Sequence, residues 1–225
     1  MRLKAFISYS TADKQIAGEV KTFLGEYGVA AFLAHEDIHI SQEWKNRIIQ
    51  ELSETNIFIP LLSKSFKESD WAPQEIGIAF IQKDMLFIPL SIDDTVPFGF
   101  VSHIQGKPIP SNGWYRDILI EPIITRFPHG IIPTIIERLR EAESFLRAGA
   151  LMVPLISNFD KFNDEEINGL VEASIDNDQV WNEHACRERY LPMFLKQHRS
   201  RIAPEKVKAL EYQLARRQRY PFPTA

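Results

Sequence analysis

The sequence predicts an α/β domain built on a mainly parallel sheet, followed by an all-helical C-terminal region. Three observations predict it. Up to about residue 109, short apolar runs alternate with amphipathic helical stretches, the signature of strands joined by crossover helices. Runs such as Ile57-Phe58-Ile59-Pro60-Leu61-Leu62 are apolar at every position, as expected of strands covered on both faces. After Pro128-His129-Gly130, strand-like alternation stops and only helical periodicity remains. The boundary is placed between residues 1–128 and 129–225.

The elements follow in order. Leu3 to Tyr9 reads as a buried strand ending in polar residues. Asp13 opens a helix whose apolar stripe is Ile16, Ala17, Val20, Phe23, Leu24 and Tyr27, and Gly28 ends it as a C′ glycine. Val29 to Leu33 is a second strand, and Ala34 to Ile40 a polar loop. Ser41 caps a helix with Trp44, Ile48, Ile49 and Leu52 on one side. The third strand spans Asn56 to Leu62. Ser69, Asp70 and Pro73 mark the start of a helix from Trp71 to Gln82 that is apolar nearly all round and therefore expected to be heavily buried. Leu86 to Ile92 is a fourth strand, a short fifth is expected around His103 to Ile109, and Asn112 begins a helix to Phe127.

The C-terminal half reads as helices around Ile131 to Leu139, Ala142–Ile156, Asp164–Ile175, Gln179–His198 with a break at Pro192, and Pro204–Arg219. No internal repeat or low-complexity segment stands out.

Composition excludes several classes. Hydrophobic residues make up 44% of the 225 and charged residues 25%, the profile of an ordinary soluble globular protein. No apolar run approaches the roughly 20 residues of a membrane helix. The opening residues pass from charge straight into a strand without a secretory core, so a cytoplasmic chain is expected. The single cysteine, Cys186, excludes an intramolecular disulfide framework and a cysteine-cluster metal site. Residues 1–128 carry 12 Lys+Arg against 16 Asp+Glu, and residues 129–225 carry 14 of each, so neither half binds nucleic acid by bulk charge. The basic stretch Arg199 to Arg219 reads as a solvated helix face.

Common chemical motifs are absent: no GxGxxG, no P-loop, no GxSxG. His35 and His39 are four apart but on a loop and lack a third ligand, so no metal site is expected. Cys186 beside His184 reads as a structural thiol rather than a nucleophile. The segment that stands out is Ser69-Asp70-Trp71-Ala72-Pro73-Gln74-Glu75. Trp71 and Glu75 share a helix face. A carboxylate on so apolar a helix either caps the helix and meets its dipole or faces a cleft where it does chemistry.

Four segments, in order, carry a resemblance to a family. Phe6-Ile7-Ser8-Tyr9-Ser10 with Asp13, the loop Ala34 to Ser41, Ile59-Pro60-Leu61-Leu62-Ser63, and Ser69-Asp70-Trp71 with Glu75 resemble the successive boxes of Toll/interleukin-1 receptor (TIR) domains. His35-Glu36-Asp37-Ile38, Gln74-Glu75-Ile76-Gly77 and Pro97-Phe98-Gly99-Phe100 look like a bacterial group of that family. The resemblance covers about residues 1–127. It departs at the second strand, where Phe32-Leu33-Ala34 lacks the family's acid, and in the following loop, where Ser41 stands near the usual glycine.

The resemblance implies a flavodoxin-like, mainly parallel five-stranded sheet. It implies cleavage of the nicotinamide–ribose bond of NAD+, giving ADP-ribose or a cyclic ADP-ribose-type signal that acts on a downstream effector in bacterial anti-phage defence. NAD+ is then the substrate, and neither cofactor nor metal is needed. Glu75 takes the catalytic role, and Tyr9, Ser10, Asp37, His39 and Trp71 the substrate-binding ones. On the residues alone, Trp71 is equally a core-edge aromatic, and Asp37 and His39 equally a solvated loop. Self-association of TIR domains, which often builds a composite site, is implied as well. The alternative is a non-catalytic TIR scaffold or adaptor acting through TIR–TIR association. A receiver-type domain is disfavoured, because Ser8-Tyr9-Ser10 is not an acidic cluster.

Overall fold

The first strand, β1 (Lys4–Ser8), is central, pairing in parallel with β2 (Ala30–Leu33) on one side and β3 (Ile57–Leu62) on the other. Beyond β3 lie β4 (Leu86–Phe87), β5 (Leu90–Ser91) and β6 (Lys107–Pro108). The order is β2-β1-β3-β5-β6, with β4 also on β3, and every pairing is parallel. The structure is a computed structural model and describes residues 3–34, 44–109 and 116–216. The chain divides into two compact units, Met1–Ile131 and Ile132–Ala225.

β4 and β5 form one interrupted strand. Ile57 pairs with Leu86 and Leu61 with Leu90, so both keep one register on β3. Continuing that register sets Pro60 opposite Pro89. Pro60 has no N–H to donate to that neighbour, and the ladder splits there, while Pro89 turns its carbonyl the other way and accepts from the Lys107 N–H of β6. The expected five-stranded sheet therefore stands, its fourth member cut in two.

Register also decides which side chains meet. Phe6 faces Phe32 and Phe58, and Phe58 faces Phe87, so four rings line one face at centroid distances of 5.3, 5.8 and 5.4 Å. Burying rings of this size contributes much of the core's stability. Ile48 and Leu52 from α2 (Trp44–Ser53), and Ala72, Ile76 and Ala79 from α4 (Ala72–Phe80), belong to the same cluster, as does Phe66 from the short α3 (Lys64–Lys67). On the other parity, Ala5, Ile7, Ile57, Ile59 and Leu61 are also fully buried, which is why these strands lack polar alternation.

Helix α1 (Lys14–Glu26) buries Ala17, Val20 and Leu24. It ends in a Schellman motif: Gly28 has φ +75°, its N–H donates to Gly25 and that of Val29 to Leu24, a turn that a Cβ would strain. α5 (Arg116–Arg126) and the opening of α6 (Pro128–Arg140) complete the first unit with Leu119, Ile120, Ile123, Ile124 and Ile131 buried.

Two expectations need correction. Ile49 is not on the core side of α2; it is 40% exposed while Ile48 and Leu52 are buried. α4 is not buried all round: Phe80 is 41% and Ile81 79% exposed, because a helix lying on a sheet hides only one stripe. The expected starts at Ser41 and Asn112 lie outside the described residues.

The second unit is helical throughout its described residues. It contains α7 (Phe145–Ile156), α8 (Asp164–Asp176), α9 (Asp178–Trp181), α10 (Leu191–His198) and α11 (Pro204–Ala215). Ser144 caps α7, and Asn163 with Glu166 forms a capping box on α8. The rings of Phe159, Phe162 and Phe194 meet edge to face at its centre. The expected break at Pro192 is not seen. Cys186–Tyr190 forms a wide π turn, and Pro192 sits in the first turn of α10. A wide turn relieves the clash between a proline ring and the carbonyl one turn earlier.

Candidate functional site

The strand order reverses at β1. The chain lays β2 on one side of it and then crosses to place β3 on the other. In open parallel sheets, ligands bind at the carboxyl ends of strands beside such a switch point. β1 ends there in Ser8, which is fully buried. Because strand side chains alternate, Ser8 points to the same face as Phe6, the face covered by α4.

α4 brings Glu75 to that point. Its first turn is closed by the N–H groups of Gln74 and Glu75, both 3.0 Å from the Trp71 carbonyl. The Ser8 hydroxyl donates to Glu75 Oε2 in a short hydrogen bond. Glu75 is 2% exposed, and its Oε1 is buried without a hydrogen-bond partner among the described residues. Burial pushes the carboxyl up to about 7, against the downward pull of the Ser8 hydroxyl. Glu75 stands in the first turn of α4, where it meets the helix dipole, but its one described hydrogen bond goes to β1 and not to the end of its own helix.

A second polar link ties the neighbouring loops together. Ser63, just after β3, donates its hydroxyl to Asp13 Oδ2 at 2.6 Å and accepts from the Phe66 N–H at 3.0 Å. Asp13 stands at the N-cap position of α1, yet its side chain makes no capping bond there.

The other expected site residues divide. Tyr9 follows Ser8 directly and is 2% exposed, a buried ring. Ser10 is half-buried, and its hydroxyl accepts from the Ala12 N–H at 3.4 Å, capping the 3₁₀ turn Thr11–Asp13. Trp71 is half-buried one helical turn before Glu75. Asp37 and His39 lie outside the described residues. Ser8, the polar partner of the carboxylate, was missed as a site residue although strand parity with Phe6 points to it. No group of three metal-ligating side chains occurs among the described residues, and no helix among them is long and apolar enough to cross a membrane. In the second unit Cys186 is fully buried, and burial together with the Glu183 carboxylate pushes its thiol well above the usual range.

Strand order, parallel pairing and a site at the end of β1 define a doubly wound α/β domain of flavodoxin-like order. Residues 5–112 match the family model described as TIR domain. Among solved structures, the TIR domain of the Toll-related receptor TRR-2 from the lower metazoan Hydra magnipapillata is similar, with 16% identity, a TM-score of 0.45, and coverage of 54% of this chain and 94% of that one. No curated protein matches the chain.

Proposed function

We propose that this domain is a TIR domain that cleaves the nicotinamide–ribose bond of NAD+ and that Glu75 is its catalytic residue. The observation that carries the reading is the Glu75 carboxyl itself. It lies at the carboxyl end of the central strand, with one oxygen held by Ser8 and the other buried without a partner among the described residues. A buried polar atom left unpaired is costly, and such atoms gather where a ligand completes the bonding.

The chemistry suits one carboxylate. Nicotinamide leaves with the electron pair of the C–N bond, and positive charge develops on the ribose, as in glycoside cleavage. Ionised Glu75 stabilises that charge through Oε1 and accepts from a ribose hydroxyl. Attack by water, with loss of its proton, yields ADP-ribose; attack by an adenine nitrogen yields a cyclic product. Trp71 packs against the ribose or a base, and Tyr9, Ser10, Asp37 and His39 complete the pocket. The product acts as a signal to a downstream effector, in bacterial cytoplasm and in anti-phage defence, a setting supported by the likeness of the sequence boxes to bacterial TIR domains. Glu75 is 2% exposed, so NAD+ reaches it only once the groups over it move aside, and TIR self-association supplies that rearrangement.

The same closure favours a second reading, a TIR scaffold in which Glu75 is only an internal structural acid. Incubating the protein with NAD+ at high protein concentration, with detection by liquid chromatography and mass spectrometry, separates the two. Nicotinamide release by the parent and not by Glu75→Gln supports catalysis, and the co-product mass tells hydrolysis from cyclisation. Absence of turnover even under forced self-association assigns the domain to the scaffold class.

A further inference from the structure

We propose that Ser8 is a positioning residue: its hydroxyl holds one oxygen of Glu75 in both protonation states and so presents Oε1 to the ligand. The proposal rests on the NAD+-cleaving reading for what Glu75 does, and on the fold for what Ser8 does.

Ser8 is the last residue of β1 and is fully buried, and Glu75 Oε2 is its hydrogen-bond partner. A hydroxyl both donates and accepts. It donates to the ionised carboxylate and accepts from the O–H of the neutral acid. A backbone N–H or a lysine can only donate, and would serve only the ionised form. Serine is thus the partner that keeps the carboxyl in one orientation throughout its titration. Among the described residues, the charged groups of adjacent segments face other partners or solvent, Glu51 of α2 pairing with Lys4 and Arg47. Asp13 is bonded to Ser63, and Lys64, Lys67, Glu68 and Asp70 are exposed.

Without the hydroxyl, both carboxyl oxygens are buried and unpaired. The group then stays neutral to higher pH or turns away from the ligand. Substrate binding through the rest of the pocket is little affected, so the loss falls on kcat rather than KM.

The test uses the full chain carrying Ser8→Ala, Ser8→Val or Ser8→Thr beside the parent. Valine and threonine have nearly the same shape, so only the hydroxyl distinguishes them. Two readouts are taken: kcat and KM for NAD+ against pH, and the titration of the Glu75 carboxyl carbon by NMR, assigned with Glu75→Gln. Threonine is expected to behave as the parent. Alanine and valine are expected to lose about 10- to 100-fold in kcat, the worth of one hydrogen bond to a charged group, with KM little changed. Their Glu75 titration moves to higher pH. If valine matches threonine in the Glu75 titration, the proposal is overturned, whatever the parent does with NAD+. If no protein cleaves NAD+ but the titration still separates valine from threonine, the positioning role stands and the catalytic reading fails.

Discussion

Ser63 and Asp13 are fifty residues apart in sequence and joined by a 2.6 Å hydrogen bond, hydroxyl to carboxylate. The same Ser63 hydroxyl caps α3 by accepting from Phe66. One side chain thereby ties the loop after β3 to the turn after β1, the two loops that flank Ser8 and Glu75.

Ser63→Ala removes both bonds at once. The expected loss is about 1–2 kcal/mol, since a capping hydroxyl and a bond to a charged group overlap in what they stabilise. Urea unfolding should show a lower midpoint with an unchanged slope, and Ser63→Thr should keep most of the stability. A midpoint equal to the parent's for Ser63→Ala would show that the link carries no energy.

Glu75 makes stability depend on pH. Its carboxyl is raised by burial to about 7 in the fold, from 4.5 for the exposed group. The folded state therefore holds an extra proton between those values. The contribution is present in full below about pH 4.5 and is lost as pH rises through about 7. Glu75→Gln lacks this loss. Relative to the parent it should gain stability as pH rises from 4.5 to 8, by up to roughly 3 kcal/mol. Thermal unfolding of both proteins across that range measures it; parallel curves would place the Glu75 titration at the ordinary value.

Cys186 should be inert in the native chain. It is fully buried, its thiol is held protonated by burial and by Glu183, and its N–H donates to Glu183 Oε2 at 2.6 Å. A disulfide reagent such as Ellman's should leave the folded protein unlabelled and modify the thiol only after denaturation. Rapid labelling in native buffer would contradict the packing around the π turn.

Period and parity carried most of the fold. The fully apolar run of β3 announced a strand buried on both faces, and the stripe of α1 ended where Gly28 turns the chain. What period alone misjudged was extent. Ile49, Phe80 and Ile81 are as hydrophobic as their buried neighbours, but a sheet covers only one side of a helix, and which stripe it covers depends on register. Of the site, Glu75 stood out as an acid on an apolar helix. Its partner did not, because serine at the end of a strand looks like the start of a loop. Parity with Phe6 sets the face to which Ser8 points, but that α4 covers this face is fixed only by the packing of Ala72, Ile76 and Ala79 with Phe6 in one cluster. The link between Asp13 and Ser63 was equally illegible, since it joins residues brought together by strand order alone.

The donor missing at Pro60 gives the sheet a point of weakness between β3 and its neighbour. A row of hydrogen bonds passes force from strand to strand, and here the row is interrupted. A pull applied beyond Ile92 is borne first by the Ile92 N–H on the Leu62 carbonyl and by β5 and β6, and it meets the missing donor at Pro60 before it reaches the Ile88–Phe58 bond. The edge of the sheet can fray or be displaced on one side of that point while β1, and the serine at its end, keep their place.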